Sequence, residues 1–178
     1  MCRSNGSFRL VTSTKNIDHT SDTSWHKYCL YKYEMNVRKR SKMKKAYFLI
    51  SHNEFAYGLK KAVEMIVGKQ ENLTAYGLMP GDHPDNIVAK IEEQITEDME
   101  VVILGDIAGG SVCNSALVLT TRPNVVLVSG TNLPLAMEII VTQTTDKEAI
   151  EAIIANVREG MKTLKVQPMM GEDCDDFF

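Results

Sequence analysis

The chain is poor in the features that mark several large classes of protein. No apolar run in its 178 residues approaches eighteen, so no membrane-spanning helix is expected. Five prolines, with 24% charged residues, sit near globular averages, so wholesale disorder is excluded. The four cysteines, Cys2, Cys29, Cys113 and Cys174, form no CxxC pair and have no nearby histidines to complete a zinc set, so no metal site is expected. Thiols this scattered argue against a disulfide framework and point to a reducing, cytoplasmic compartment. Cys113 reads as a small apolar residue in a helix, because no basic partner stands near it to make a nucleophile. Neither a Walker A sequence nor a GxGxxG fingerprint is present.

What the chain does have is core material and an uneven charge. Hydrophobic residues make up 44% and charged ones 24%, which is ordinary for a globular protein with a sizeable core. Residues 1–42 hold nine Lys/Arg against three Asp/Glu, a net of +6, whereas residues 43–178 hold eleven against twenty, a net of −9. The first 42 residues show no sustained hydrophobic period and no apolar stretch suited to a secretory signal. They are expected to be a basic, poorly ordered extension, in which Tyr28, Tyr31 and Tyr33 could form a small local helix. Residues 43–168 form the expected domain, and 169–178 an acidic tail. Arg38-Lys39-Arg40 could touch nucleic acid, but the acidic body has the wrong sign for it, so no nucleic-acid partner is expected.

From Lys45 the pattern becomes regular. Short apolar runs at 45–50, 73–79, 99–105 and 124–129 read as strands. Helix-period segments lie between them, at 54–67 with Phe55, Leu59, Ala62 and Ile66 on one face, at about 84–97 and at about 112–120. Two more follow, from Pro134 to about 143 and over about 146–163, and LKVQ (164–167) reads as a short C-terminal strand. Strands alternating with helices predict a doubly wound α/β domain, with a mainly parallel sheet in the order 2-1-3-4 and helices on both faces. Ligands of such sheets bind beyond the carboxyl ends of the strands, where the order reverses.

The unusual residues stand at those ends. Ser51-His52-Asn53 follows the first strand, and an imidazole is a competent nucleophile at neutral pH. Asp106 follows the third strand, where an acid can orient a histidine by accepting its ring N–H. Gly109-Gly110-Ser111 then opens a helix that Ser111 can cap, and glycine amides with a hydroxyl suit a phosphate. If strands one and three are neighbours, His52, Asp106 and this turn share one crevice, and phosphoryl transfer through histidine becomes a coherent chemistry.

Four segments in order carry a resemblance: AYFLISHNEFAYGLKKAVEMIVGKQENL, LMPGD, VVILGDIAGGSVCNSAL and NVVLVSGTNLPLAMEII. Over about residues 44–166 the chain resembles enzyme IIA of the mannose/fructose/sorbose family of the bacterial phosphoenolpyruvate:sugar phosphotransferase system. That resemblance implies a homodimeric cytoplasmic protein, without cofactor, that accepts phosphate from HPr and passes it to a cognate IIB protein. The IIB protein feeds a membrane permease, which would recruit the chain indirectly to the inner face of the membrane. It further implies His52 as the phosphohistidine, Asp106 as its support and Ser111 as a phosphoryl ligand. Asn53 stands where the family has Gly, and Val112-Cys113 where it has Pro-Phe. Asn53 could cap the following helix and tolerate unusual backbone angles.

Two other functions fit a doubly wound fold. A nucleotide- or flavin-binding module would call for a glycine-rich first turn or an acid after the second strand suited to a ribose, and this chain lacks them. A non-catalytic regulatory protein would have no need of His52, Asp106 and Ser111 together.

Overall fold

A computed structural model of the chain describes Tyr31 and residues 43–166. The expected extension at 1–42, apart from Tyr31, and the acidic tail at 169–178 lie outside the described residues. Four strands alternate with helices: β1 (Lys44–His52), α1 (Phe55–Val67), β2 (Leu73–Leu78), α2 (Pro84–Glu92) and β3 (Met99–Gly105) come first. They are followed by α3 (Ser111–Ala116), a 3-10 turn (Leu117–Thr121), β4 (Val125–Val128), α4 (Leu133–Thr142) and α5 (Lys147–Glu159). The strands form one all-parallel sheet in the order β2-β1-β3-β4.

The sheet is buried on both faces because its strands are apolar at both parities. Tyr47 and Leu49 of β1, with Val102 and Leu104 of β3, pack under α1, α4 and α5. Phe48 and Ile50, with Val101 and Ile103, pack under α2, α3 and the 3-10 turn. Parallel pairing then brings the carboxyl ends of β1 and β3 together, since Ile50 lies opposite Gly105. On the other side of β1, Ser51 pairs with Gly77 and His52 with Leu78.

The structure differs from the sequence reading at several element ends and on one helix face. On α1 the buried residues are Ala56, Leu59 and Val63, while Phe55 and Ile66 are exposed, so the inward stripe is rotated from the one the spacing suggested. The α2 helix stops at Glu92, where Gln94 and Ile95 close a turn on the Ile91 carbonyl, and Ile95 reaches the core from that turn. The segment after Ser111 divides at Leu117, where Thr120 and Thr121 donate their hydroxyls to the carbonyls of Leu117 and Val118. Such back-bonding to i−3 favours the tighter winding. The α5 helix ends at Glu159 instead of running to 163. Residues 161–166 form no strand; Leu164 and Val166 are exposed and no strand lies beside them among the described residues. A strand needs a neighbouring ladder, and the apolar alternation at 164–166 supplies only half of one. Residue 167 is outside the described residues. Among the described residues no helix is long and apolar enough to cross a membrane.

Tyr47 places a phenol in the core. It is 0% exposed and its hydroxyl has no hydrogen-bond partner among the described residues. Burial, and less strongly the charge of Glu100, hold its phenol well above the usual tyrosine range. A raised folded-state value favours the neutral form, so the fold keeps this stability below about pH 10 and loses it as pH rises further. Tyr47→Phe removes an unpaired hydroxyl and leaves the ring packing intact. It should be neutral or stabilising by about 1–2 kcal/mol. Urea unfolding at pH 7 and above pH 10 checks both points, and the variant should lose less stability than the parent chain at alkaline pH.

Candidate functional site

The site is built from two loops that leave neighbouring strands. β1 ends in His52, and Asn53 then turns the chain at a φ of 49°, in the left-handed region that Asn tolerates better than most residues. Its N–H donates to the Leu78 carbonyl at 2.8 Å, which ties the turn to β2. Asn53 does not cap α1. The N-cap is Glu54, without a side-chain bond, and the fully buried Ser51 hydroxyl accepts the Ala56 N–H at 2.7 Å. Ser51 is therefore a structural part of the turn that the sequence reading passed over. Its signal was a hydroxyl a few residues ahead of a helix start.

Asp106 joins the two loops. Its Oδ2 accepts both the His52 backbone N–H and the His52 Nδ1–H, each at 2.8 Å, and its Oδ1 accepts the Ile107 N–H at 2.8 Å. Its own N–H donates to the Ile50 carbonyl at 3.2 Å. An ionised carboxylate only accepts, so Nδ1 carries a ring proton, and in the neutral imidazole Nε2 then holds the lone pair. Nε2 lies 3.1 Å from the Ser111 hydroxyl, which then donates to it. The side chain of His52 is 43% exposed and that of Asp106 15%, so the ring faces solvent while its anchor is shielded.

The glycine turn fits under the ring. A Cβ on Gly110 would lie 2.9 Å from His52 Cε1 and 2.7 Å from Ile107 Cγ2, so only glycine lets the ring sit there. Gly109 has a φ of 76°, and its carbonyl accepts from the Asn114 side chain at 3.1 Å. Asn114, one turn into α3, is thus a loop-holding residue that sequence reasoning missed, for want of any periodic signal. The Gly110 N–H donates to the Ile107 carbonyl at 3.3 Å, so this glycine contributes room more than a donor. Ser111 is the first residue of α3; Gly110 occupies the N-cap, and the Ser111 hydroxyl serves the histidine instead of the helix end.

All five residues singled out from the sequence, His52, Asp106, Gly109, Gly110 and Ser111, therefore stand together at the carboxyl ends of β1 and β3. The arrangement is an imidazole with a half-buried carboxylate behind its Nδ1 and a hydroxyl in front of its Nε2. Among the described residues no three His, Cys, Asp or Glu side chains are grouped to hold a metal ion. Cys113 packs behind the turn and is buried. Burial, with a smaller push from Asp106, raises its thiol above the ordinary range, which keeps it neutral and unreactive.

Comparisons with known proteins bear on the family and the fold. Residues 47–158 match the family described as PTS system fructose IIA component. The chain is 28% identical over 126 residues to the PTS system mannose-specific EIIAB component of Escherichia coli, covering 67% of this chain and 39% of that protein. It thus spans about two fifths of that relative's length. It is 33% identical over 98 residues to the sorbose-specific EIIA component of Klebsiella pneumoniae, covering 53% of this chain and 72% of the other. Among solved structures it is similar to the mannose/sorbose specific IIA subunit of Enterococcus faecalis, with a TM-score of 0.62 at 25% identity, covering 70% and 98% of the two chains. A PTS IIA protein associated with the fucose utilization operon of Streptococcus pneumoniae matches with a TM-score of 0.60 at 27% identity, covering 68% and 94%.

One packing contact beneath the site sets a specific expectation. A Cβ on Gly105 would fall 2.2 Å from the Cys113 sulfur. Gly105→Ala should therefore destabilise the chain by about 1–3 kcal/mol through overpacking. Adding Cys113→Ala should return most of that loss, because the obstructing sulfur is gone. A double-mutant cycle in urea measures the coupling, and additive effects would contradict the contact.

Proposed function

Because the chain belongs to the fructose IIA component family of the sugar phosphotransferase system, we propose that it is a phosphoryl carrier using His52. In this reading it takes phosphate from HPr and hands it to a cognate IIB protein, which serves a sugar permease. The observation that carries the reading is the continuous relay from the Asp106 carboxylate through the His52 ring to the Ser111 hydroxyl, at 2.8 and 3.1 Å.

The Nε2 lone pair attacks the phosphorus of phospho-HPr; the P–N bond to the donor histidine breaks as the bond to Nε2 forms. The ring gains positive charge, which the Asp106 carboxylate stabilises across the Nδ1–H bond. The Ser111 hydroxyl releases Nε2 and donates to a phosphoryl oxygen, together with amides at the start of α3, where backbone N–H groups lack intrahelical partners. Transfer to IIB reverses these steps. Residues 43–168 constitute the phosphotransferase domain in this proposal, with 1–42 and 169–178 as extensions, and the setting is cytoplasmic, at the permease when assembled. The net charge of −9 on residues 43–178 favours a basic docking face on HPr and acts mainly on the association rate.

A homodimer belongs to the same reading. The outer edge of β4 has no strand beside it among the described residues, and the exposed apolar pair Leu164 and Val166 follows α5. An open edge and an unpaired apolar segment in one chain support exchange of that segment between two copies. Sedimentation at micromolar concentration should give twice the chain mass of 19.9 kDa. A monomer alone would remove this part of the proposal.

Incubation with enzyme I, HPr and labelled phosphoenolpyruvate tests the chemistry. His52→Ala should abolish labelling. Asp106→Asn should slow it by about a hundredfold or more, because one amide cannot accept all three N–H bonds now made to the carboxylate. Ser111→Ala should cost about tenfold, since backbone donors remain. The label should be acid-labile and base-stable, as a phosphoramidate is. Full labelling of His52→Ala, or a label that survives acid, would overturn the proposal.

A further inference from the structure

We propose that Gly77 of β2, a residue outside the relay, is a positioning residue for His52 and acts through the Asn53 peptide; the proposal rests on the reading of His52 as phosphate acceptor. Gly77 is not among the glycines with positive φ, so its backbone would accept any residue. What it supplies is space. A Cβ at position 77 would lie 2.0 Å from the Asn53 carbonyl oxygen, 3.1 Å from the Asn53 carbonyl carbon and 2.9 Å from Tyr57 Cε2. The Tyr57 ring edge is on a partly exposed side chain and can swing aside. The Asn53 carbonyl cannot. It follows a Cα held at a φ of 49°, in the left-handed region where a non-glycine residue has little freedom, and the N–H of the preceding peptide is fixed to the Leu78 carbonyl at 2.8 Å.

The two residues are locked in register. Ser51 pairs with Gly77 and His52 with Leu78, so the chain leaving β1 folds back over the end of β2 and rests on the bare Cα of Gly77. Relieving the clash would require the Asn53 carbonyl to move by roughly 1 Å, since nonbonded carbon–oxygen contacts much under 3 Å are sterically forbidden. The His52 ring is one peptide away and is held by bonds of 2.8 and 3.1 Å to Asp106 and Ser111. Hydrogen bonds of this kind tolerate a few tenths of an ångström, not a whole one. A displacement of that size at a reacting group costs on the order of a hundredfold in rate. β2 carries none of the reacting groups, yet its penultimate residue sets where the nucleophile stands.

The experiment compares the full chain with Gly77→Ala, with the double variant Asn53→Gly/Gly77→Ala, and with Gly58→Ala as a control. Gly58 lies in α1 with nothing within 4 Å of an added Cβ. Two quantities are measured: the rate of phosphate uptake from phospho-HPr, and the NMR signal of the His52 Nδ1–H proton bonded to Asp106. Gly77→Ala should fold cooperatively but transfer about 10–100-fold more slowly, in kcat more than in KM, with its Nδ1–H signal shifted or lost. The double variant should regain at least half of that loss on a logarithmic scale, because glycine at 53 can rotate its carbonyl away from the new methyl. Gly58→Ala should match the parent chain in both measurements.

Transfer by Gly77→Ala within twofold of the parent, with an unmoved Nδ1–H signal, would overturn the proposal. So would a slowed variant whose signal is unchanged and whose rate the Asn53→Gly change does not restore, since that is the pattern of a purely structural defect. If Gly77→Ala fails to fold, the double variant decides, and its failure to restore both fold and signal counts against the proposal. If the parent chain accepts no phosphate, the functional reading fails separately, while the Nδ1–H comparison still decides the positioning claim.

Discussion

A single carboxylate oxygen holds the site together. Oδ2 of Asp106 accepts the backbone N–H and the ring N–H of the same histidine, each at 2.8 Å. The first bond fixes where the β1 loop runs, and the second fixes how the imidazole is turned and which nitrogen is left free. Oδ1 is engaged by the Ile107 N–H, so the carboxylate has no rotational freedom to trade one bond for another. The histidine tautomer, the aim of Nε2 and the reach of the Ser111 hydroxyl all follow from that bond set.

The bonds form only because β1 and β3 are adjacent and parallel. Opposing Ile50 and Gly105 leaves His52 and Asp106 just beyond the β1–β3 ladder, at the same end of the sheet. Burial on both faces then makes the sheet a rigid platform, with separate clusters of apolar side chains above and below it. The loops themselves are polar and short, so their precision comes from the strands that anchor them. Three glycines act here by taking up no room. Gly110 admits the ring, Gly105 admits the Cys113 sulfur and Gly77 admits the Asn53 carbonyl.

The places where the sequence misled are those where local pattern was not the deciding force. The apolar period of α1 was compatible with more than one inward stripe, and packing against β1, β2 and α4 selected Ala56, Leu59 and Val63. Thr120 and Thr121 tightened the end of a helix that apolar spacing alone would have continued. Ile95 stayed in the core after leaving the helix, so its burial and its spacing told different stories. Leu164 and Val166 alternate like a strand but have no strand to pair with among the described residues.

By itself the sequence determined the order of strands and helices, the burial of both sheet faces and the location of the unusual residues at strand ends. These are properties of hydrophobic period and of chain connectivity, which neighbouring residues carry along the chain. It therefore also identified His52, Asp106, Gly109, Gly110 and Ser111 as residues that could meet. Only the tertiary structure decided that one oxygen would serve two N–H groups of His52, that Ser51 and not Asn53 would receive the first helix, and that Gly77 would lie beneath the turn. Those facts join residues 5 to 54 apart in the chain, and the hydrogen bonds among them span 2.7–2.8 Å. No period encodes such a contact, because it depends on how strands pair and how closely their loops approach once the core has closed.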